Sequence, residues 1–170
     1  MIENIPEKLT QFDDLVSSFK IDKELAYKFF ITFSWFEHVL KAFGYVRNRG
    51  YVQINWLEFG ERHNANFNPE RTPELKAAID YLQAFPPGSQ QFDEHNVIVW
   101  DETEIRGASL LAQILSKVTT VRNNLFHGGK LPEFRERDAD LMRCCLIILD
   151  ECVRLSDDLK YIYQHQTENH

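Results

Sequence analysis

Between residues 22 and 46 apolar side chains fall on nearly every face of a helix. Leu25, Phe29, Phe33, Phe36, Leu40 and Phe43 recur every three or four residues, and Phe30, Ile31 and Trp35 add bulk elsewhere on the circumference. A surface helix needs only one apolar stripe; one that is apolar almost all round must be surrounded by other elements. The chain is thereby committed to a bundle with this segment central. Asp22 is placed to cap its start, and Arg47-Asn48-Arg49-Gly50 reads as a polar stop and turn.

Two further long helices are expected, over 102–126 and 133–163. Asp101 and Glu104 have the spacing of a capping box ahead of the first, which runs through Gly107 and stops at Gly128-Gly129. Pro132 permits the next to start, and Leu141, Leu146, Ile148, Leu149, Cys152, Val153 and Leu159 supply its buried side. Ile5 to Phe19 forms a short leading helix. Residues 51–101 are less regular: a short helix over Asn55–Glu61, a loop at Asn64–Pro69, and a helix capped by Thr72, opened by Pro73 and ending before Pro86. Val97–Trp100 is at most a minor strand. The expected fold is an all-α helical bundle in one domain over 1–170. Its core is about 22–163, and 51–101 is an irregular helical insertion between the first and second long helices.

The chain has 170 residues, 44% of them hydrophobic, with 13 Phe, 6 Tyr and 3 Trp, enough for a full core without cross-links. Its three cysteines, Cys144, Cys145 and Cys152, lack metal-ligand spacing and sit in an apolar run, so buried, reduced thiols are expected. No signal-peptide core opens the sequence and no run approaches the ~18 apolar residues of a membrane span. The expectation is a cytoplasmic protein without membrane contact. A net charge of −7 and a pI near 5.4 argue against a broad electrostatic footprint on nucleic acid. They leave room for a small site where a few Arg or Lys face a phosphate.

One position resists a purely packing account. On a helical wheel over 101–126, Leu110, Leu111, Ile114, Leu115, Val118, Val121, Leu125 and Phe126 form an apolar arc of about 160°, and Arg122 falls inside it. A guanidinium cannot shed its proton to escape burial. It must snorkel, pair with an acid, or face a partner or ligand. Asn123 and Asn124 follow, poor helix formers in the last turns of a helix. His127 closes it, where partial negative charge favours imidazolium, the form a general acid needs. Capping the helix end is the alternative role for His127. Glu37, at the edge of the first helix's stripe, either pairs with Arg122 or reaches solvent. His38, His63 and His95 are scattered singly and receive no role.

Arg122-Asn123-Asn124-Leu125-Phe126-His127 resembles the signature of the HEPN family: an Arg, often followed by a polar residue, then a His after four to six positions. The Gly-Gly after the His, the long helices around the motif and the aromatic Trp35-Phe36-Glu37 segment upstream extend the likeness. The resemblance implies a HEPN-type bundle that dimerises, so that two copies of the motif share one cleft. It implies a metal-independent endoribonuclease, a toxin or antiviral effector, with RNA as substrate and no cofactor. Arg122 would hold the scissile phosphate, His127 would move protons, and Asn123 would orient one or the other, with Glu37 and Asn124 in support. An antitoxin or regulatory protein is a further implied partner. Some members carry a Tyr two residues after the His that a partner nucleotidyltransferase modifies; here that residue is Gly129, which argues against an antitoxin of that kind. The competing reading is a non-catalytic adapter that uses the same cleft to bind RNA, a nucleotide or a protein.

Overall fold

A computed structural model describes residues 10–49, 51–102, 106–126 and 135–167. In chain order the elements are α1 (Thr10–Ser18), α2 (Lys23–Ala42), β1 (Val46–Arg49), β2 (Tyr51–Ile54), α3 (Trp56–His63), a 3₁₀ turn (Asn64–Asn66), α4 (Pro73–Ala84), β3 (Gly88–Phe92), β4 (Ile98–Glu102), α5 (Leu110–Phe126), α6 (Glu136–Leu155) and α7 (Asp157–Thr167). The protein is mainly helical, and the strands form two separate antiparallel ribbons, β1–β2 and β3–β4.

The bundle is built around α5 and α6. Helix α5 lies against α3, α4 and α6, while α6 also meets α2, α4 and α7. Phe29, Phe36 and Phe59 are almost wholly buried, beside Leu111, Ile114 and Leu115 of α5 and Ile148 and Leu149 of α6. Truncating any one of these rings to Ala would cost about 3–5 kcal/mol. Where α3 crosses α5 the two backbones nearly touch: a Cβ on Gly60 would stand 2.5 Å from the Ala112 Cα, so only glycine fits there.

Two starts follow the sequence reading. The Asp22 carboxylate accepts from the Leu25 N–H at 3.0 Å, and Thr72 Oγ1 accepts from the Leu75 N–H at 3.1 Å with Pro73 in the first turn. All three cysteines are buried and free, as their apolar context implies. The part of the leading helix before Thr10 lies outside the described residues.

Four boundaries differ, each for a local reason. Helix α2 stops at Ala42, because Gly44 takes a left-handed φ of 79° and completes a Schellman turn. Its N–H donates to Lys41 O (3.1 Å) and the Tyr45 N–H donates to Leu40 O (3.0 Å). The polar run after it is strand rather than stop: Arg47 pairs with Gln53 and Val46 with Ile54, so an all-α description gives way to a mainly helical one. The minor strand expected at Val97–Trp100 is present as Ile98–Trp100 of β4, with Gln90 opposite Trp100 and Gln91 opposite Val99.

The other two concern the later helices. Asp101 lies in β4, so it does not cap a helix; Glu104 lies outside the described residues. Helix α5 starts at Leu110 instead, and side chains of Glu61 and Asn64 accept from N–H groups at and just before its start. Glu61 Oε1 accepts from Ala108 (2.6 Å) and Ser109 (3.1 Å), and Asn64 Oδ1 accepts from Leu111 (3.1 Å). The long final helix divides into α6 and α7 at Ser156, whose hydroxyl accepts from the Leu159 N–H at 3.4 Å. Pro132, read as the opening of that helix, lies outside the described residues.

Candidate functional site

Arg122 sits one turn before the end of α5, with 29% of its side chain exposed. Its guanidinium lies over the Phe33 ring, 5.4 Å from the centroid. Nη1 donates to Asn123 Oδ1 at 3.1 Å, and Nη2 stands 3.7 Å from Glu37 Oε2. The Glu37 contact is an ion pair too long for a hydrogen bond. The burial problem posed by the sequence is therefore met by contacts that include an aromatic face, an amide oxygen and a carboxylate.

The third option, a face toward a ligand, is also present. Arg122, Asn123 and Glu37 line a cleft of about 520 Å³. Helix α2 contributes Phe33, Glu37 and Lys41 to it; the β1–β2 ribbon contributes Arg47, Val52, Gln53 and Ile54. Trp56 and Leu57 come from α3, Arg106 from the segment before α5, and Ser116, Thr119, Arg122 and Asn123 from α5 itself. Among the described residues, four cations and one carboxylate share the lining. The ribbon wall is held at its root. Tyr45, buried, donates or accepts through its hydroxyl with His63 Nε2 at 3.0 Å, and the Asn55 N–H donates to Tyr45 O at 2.9 Å. The floor of the cleft is ordered by Thr119, whose hydroxyl donates to Ser116 O at 2.7 Å.

Asn124 turns the other way. Its Nδ2 donates to Gly88 O at 2.6 Å, tying α5 to the β3–β4 ribbon, and it does not line the cleft. Phe126 ends the helix against α2, with ring centroids 6.3 Å from Phe29 and 5.3 Å from Phe30. His127, the expected proton carrier, lies outside the described residues. The structure thus brings Arg122, Asn123 and Glu37 together and directs Asn124 elsewhere.

Lys117, five residues before Arg122, shows what a purely structural cation on this helix looks like. It is 9% exposed, and its Nζ donates to Leu82 O at 3.2 Å, satisfying a carbonyl in the last turn of α4. Burial lowers its pKa from the ordinary lysine value. The His residues outside the motif behave as single polar groups. Burial lowers the pKa of His63, which belongs to the Tyr45 anchor, while His38 and His95 are exposed. Among the described residues no group of three or more His, Cys, Asp or Glu is placed to hold a metal ion. No helix among them is long and apolar enough to cross a membrane.

Comparison of the chain with family models, with curated proteins and with solved structures returns no match. The cleft's make-up therefore stands on its own geometry. Sequence reading missed three of its charged residues, Lys41, Arg47 and Arg106. Lys41 carried a usable signal, being one helical turn beyond Glu37 on the same face. Arg47 and Arg106 carried none while the ribbon was read as a turn and Arg106 as part of a helix.

Proposed function

We propose that the protein is a metal-independent endoribonuclease of HEPN type, with Arg122, Asn123 and His127 as its working residues. The observation that carries this reading is the cleft: Arg122 and Asn123 open into a cavity of about 520 Å³ with four basic side chains, on a chain whose net charge is −7. A concentration of positive charge against the overall balance is what a site for a phosphodiester requires. RNA supplies its own nucleophile. A base takes the 2′-OH proton, the 2′-oxygen bonds to phosphorus, the P–O5′ bond breaks, and an acid protonates the departing 5′-oxygen. Two His127 side chains in a two-fold dimer would divide the proton transfers, and Arg122 would stabilise the phosphorane charge by paired hydrogen bonds. Phe30 and Phe126, packed together beside the motif and 46% and 40% exposed, offer an apolar edge suited to a second copy.

The adapter reading keeps one specific support: Arg122 already has a carboxylate at 3.7 Å, so a phosphate must compete with Glu37 for it. One experiment separates the two. Purified protein is incubated with mixed RNA in EDTA beside the Arg122→Ala variant, and product ends are mapped. Cleavage by wild type alone, leaving a 2′,3′-cyclic phosphate or its 3′-phosphate product, supports the nuclease. Clean wild-type protein that binds RNA through Arg122 and cuts nothing supports the adapter; cleavage that Mg²⁺ must restore overturns the metal-free mechanism. Light scattering at micromolar concentration should give the mass of a dimer.

A further inference from the structure

We infer that a second cavity, the groove between α2, α6 and α7, is a binding site for a small organic cation with an apolar tail, an alkylammonium or arylalkylammonium molecule. Its charged head rests on the faces of Trp35 and Tyr163. The site does not depend on the nuclease reading, because it lies on the other side of α2 from the cleft. Ile31 and Trp35 line the groove, while Phe33 and Glu37 line the cleft. At about 100° per residue the two pairs point roughly 160° apart.

The groove has a volume of about 720 Å³, within the roughly 300–1,000 Å³ usual for small-ligand sites. Its floor is apolar. Leu146 and Ile147 of α6 are only partly buried, and Ile31 of α2 is 46% exposed. Bundle packing leaves these side chains part-covered, and an apolar tail would take the rest of their surface from water.

The walls narrow the choice of ligand. Trp35 and Tyr163 stand nearly perpendicular, at 81° with ring centroids 6.0 Å apart, so two aromatic walls meet at a corner of the groove. The one polar atom of the indole is already used: Nε1 donates to Gln166 Oε1 of α7. What the Trp35 ring has left to offer is its π surface, which attracts cations. The charges agree. Among the described residues the lining holds three carboxylates, Glu74, Asp150 and Glu151, and two cations, Lys28 and Arg71. Arg71 and, from outside the groove, Arg154 are committed to Glu151. Glu74 and Asp150 then stand against Lys28, all three exposed, and that balance favours a positive ligand over a negative one.

The test follows the isotope-labelled full chain by two-dimensional NMR as hexyltrimethylammonium is added. The readout is the Trp35 indole N–H, assigned by its loss in Trp35→Phe. Its signal should shift saturably while those of Trp56 and Trp100 stay in place. Hexanoate and hexanol carry the same chain with a negative charge and with none, and both should bind about two- to five-fold more weakly or worse. Tyr163→Leu keeps an apolar side chain but removes the ring, and Glu74→Gln/Asp150→Asn removes the carboxylates. Each should weaken the cation by about two- to five-fold and leave hexanol unchanged. Lys28→Gln should tighten the cation, since it removes a like charge. Thermal melting checks that each variant is folded. A Trp35 signal that does not move up to about 10 mM overturns the site. Hexanol binding as tightly as the cation would leave an apolar groove without charge selectivity and overturns the ligand class, as does hexanoate binding most tightly and losing affinity in Lys28→Gln. None of these outcomes depends on whether the protein cleaves RNA.

Discussion

Two arginine–carboxylate pairs tie this bundle together, and they are built to opposite specifications. At the seam of α4 and α6, Glu151 is 2% exposed; Arg71 Nε donates to its Oε2 at 2.6 Å and Arg154 Nε at 3.2 Å. In the cleft, Glu37 and Arg122 are 27% and 29% exposed and stand 3.7 Å apart. The first pair encloses a charge that has no other escape, because a carboxylate buried without partners is costly. The second leaves both partners lining an open cleft. The two arginines are about equally exposed, 33% for Arg71 and 29% for Arg122, so it is the distance and the burial of the carboxylate that set the two pairs apart.

The sharpest break of this contrast is in catalysis. If the proposed nuclease reading holds, Arg122→Ala should lower RNA cleavage by about 10²-fold or more through lost transition-state stabilisation, and His127→Ala by about 10²- to 10⁴-fold. Arg122→Ala should change stability by no more than about 1 kcal/mol, the value of a loose, part-exposed pair. Urea titration alongside single-turnover cleavage measures both, and a large loss of stability would move Arg122 into the structural class. Arg71→Ala should do the reverse. It strips a nearly buried carboxylate of its shorter bond and should cost about 1–3 kcal/mol in urea, with cleavage per folded molecule unchanged.

A smaller effect sharpens the cleft side of the comparison. On the proposed nuclease reading Glu37→Gln removes a carboxylate that would compete with phosphate, so binding of a non-cleavable RNA strand should tighten by up to about five-fold, the equivalent of 1 kcal/mol. Weaker binding would show that Glu37 positions Arg122 instead of competing for its ligand. The smallest effect concerns a carboxylate in neither pair. Backbone N–H bonds from Ser109 and Ala108, and then the Ser109 hydroxyl, hold Glu61 below the usual carboxylate range. A carboxylate lowered in the folded state stabilises it above the unfolded value and loses that contribution as pH falls through the folded value. Wild-type stability should therefore fall more steeply than that of Glu61→Gln as pH drops below about 4.3, and parallel curves would show that this cap carries no weight.

Legibility in the sequence followed the range of the interactions involved. The aromatic repeat of α2, the Asp22 cap and the Thr72-Pro73 start are local and were readable. The division at Ser156 was readable too, since a serine before Asp157 and Asp158 is a helix-start signal, but the apolar spacing of 141–159 ran across it. The ribbons were not. Ser89-Gln90-Gln91 has no alternation of apolar and polar residues, and Arg47-Asn48-Arg49 looks like any polar turn. Both are strands because a partner strand completes their hydrogen bonds, which no short window contains. The site divides in the same way. Glu37 and Arg122 could be matched by charge and helix face. The convergence of Arg47 and Arg106 on them depends on a ribbon and a loop whose placement is tertiary.

The contact of Gly60 with Ala112 makes a fulcrum of the point where α3 crosses α5. Arg122 lies ten residues further along that helix, about 15 Å at 1.5 Å per residue, so a tilt of about 4° at the crossing swings the guanidinium by about 1 Å. An error of that size in placing a reacting group is enough to lose about 10²-fold in rate. Two backbones already in contact cannot rock closer, and the Glu61 and Asn64 side chains that hold N–H groups at and just before the start of α5 keep it from rocking away. The aim of the cleft is thus set at the far end of its lever, by a residue that has no side chain.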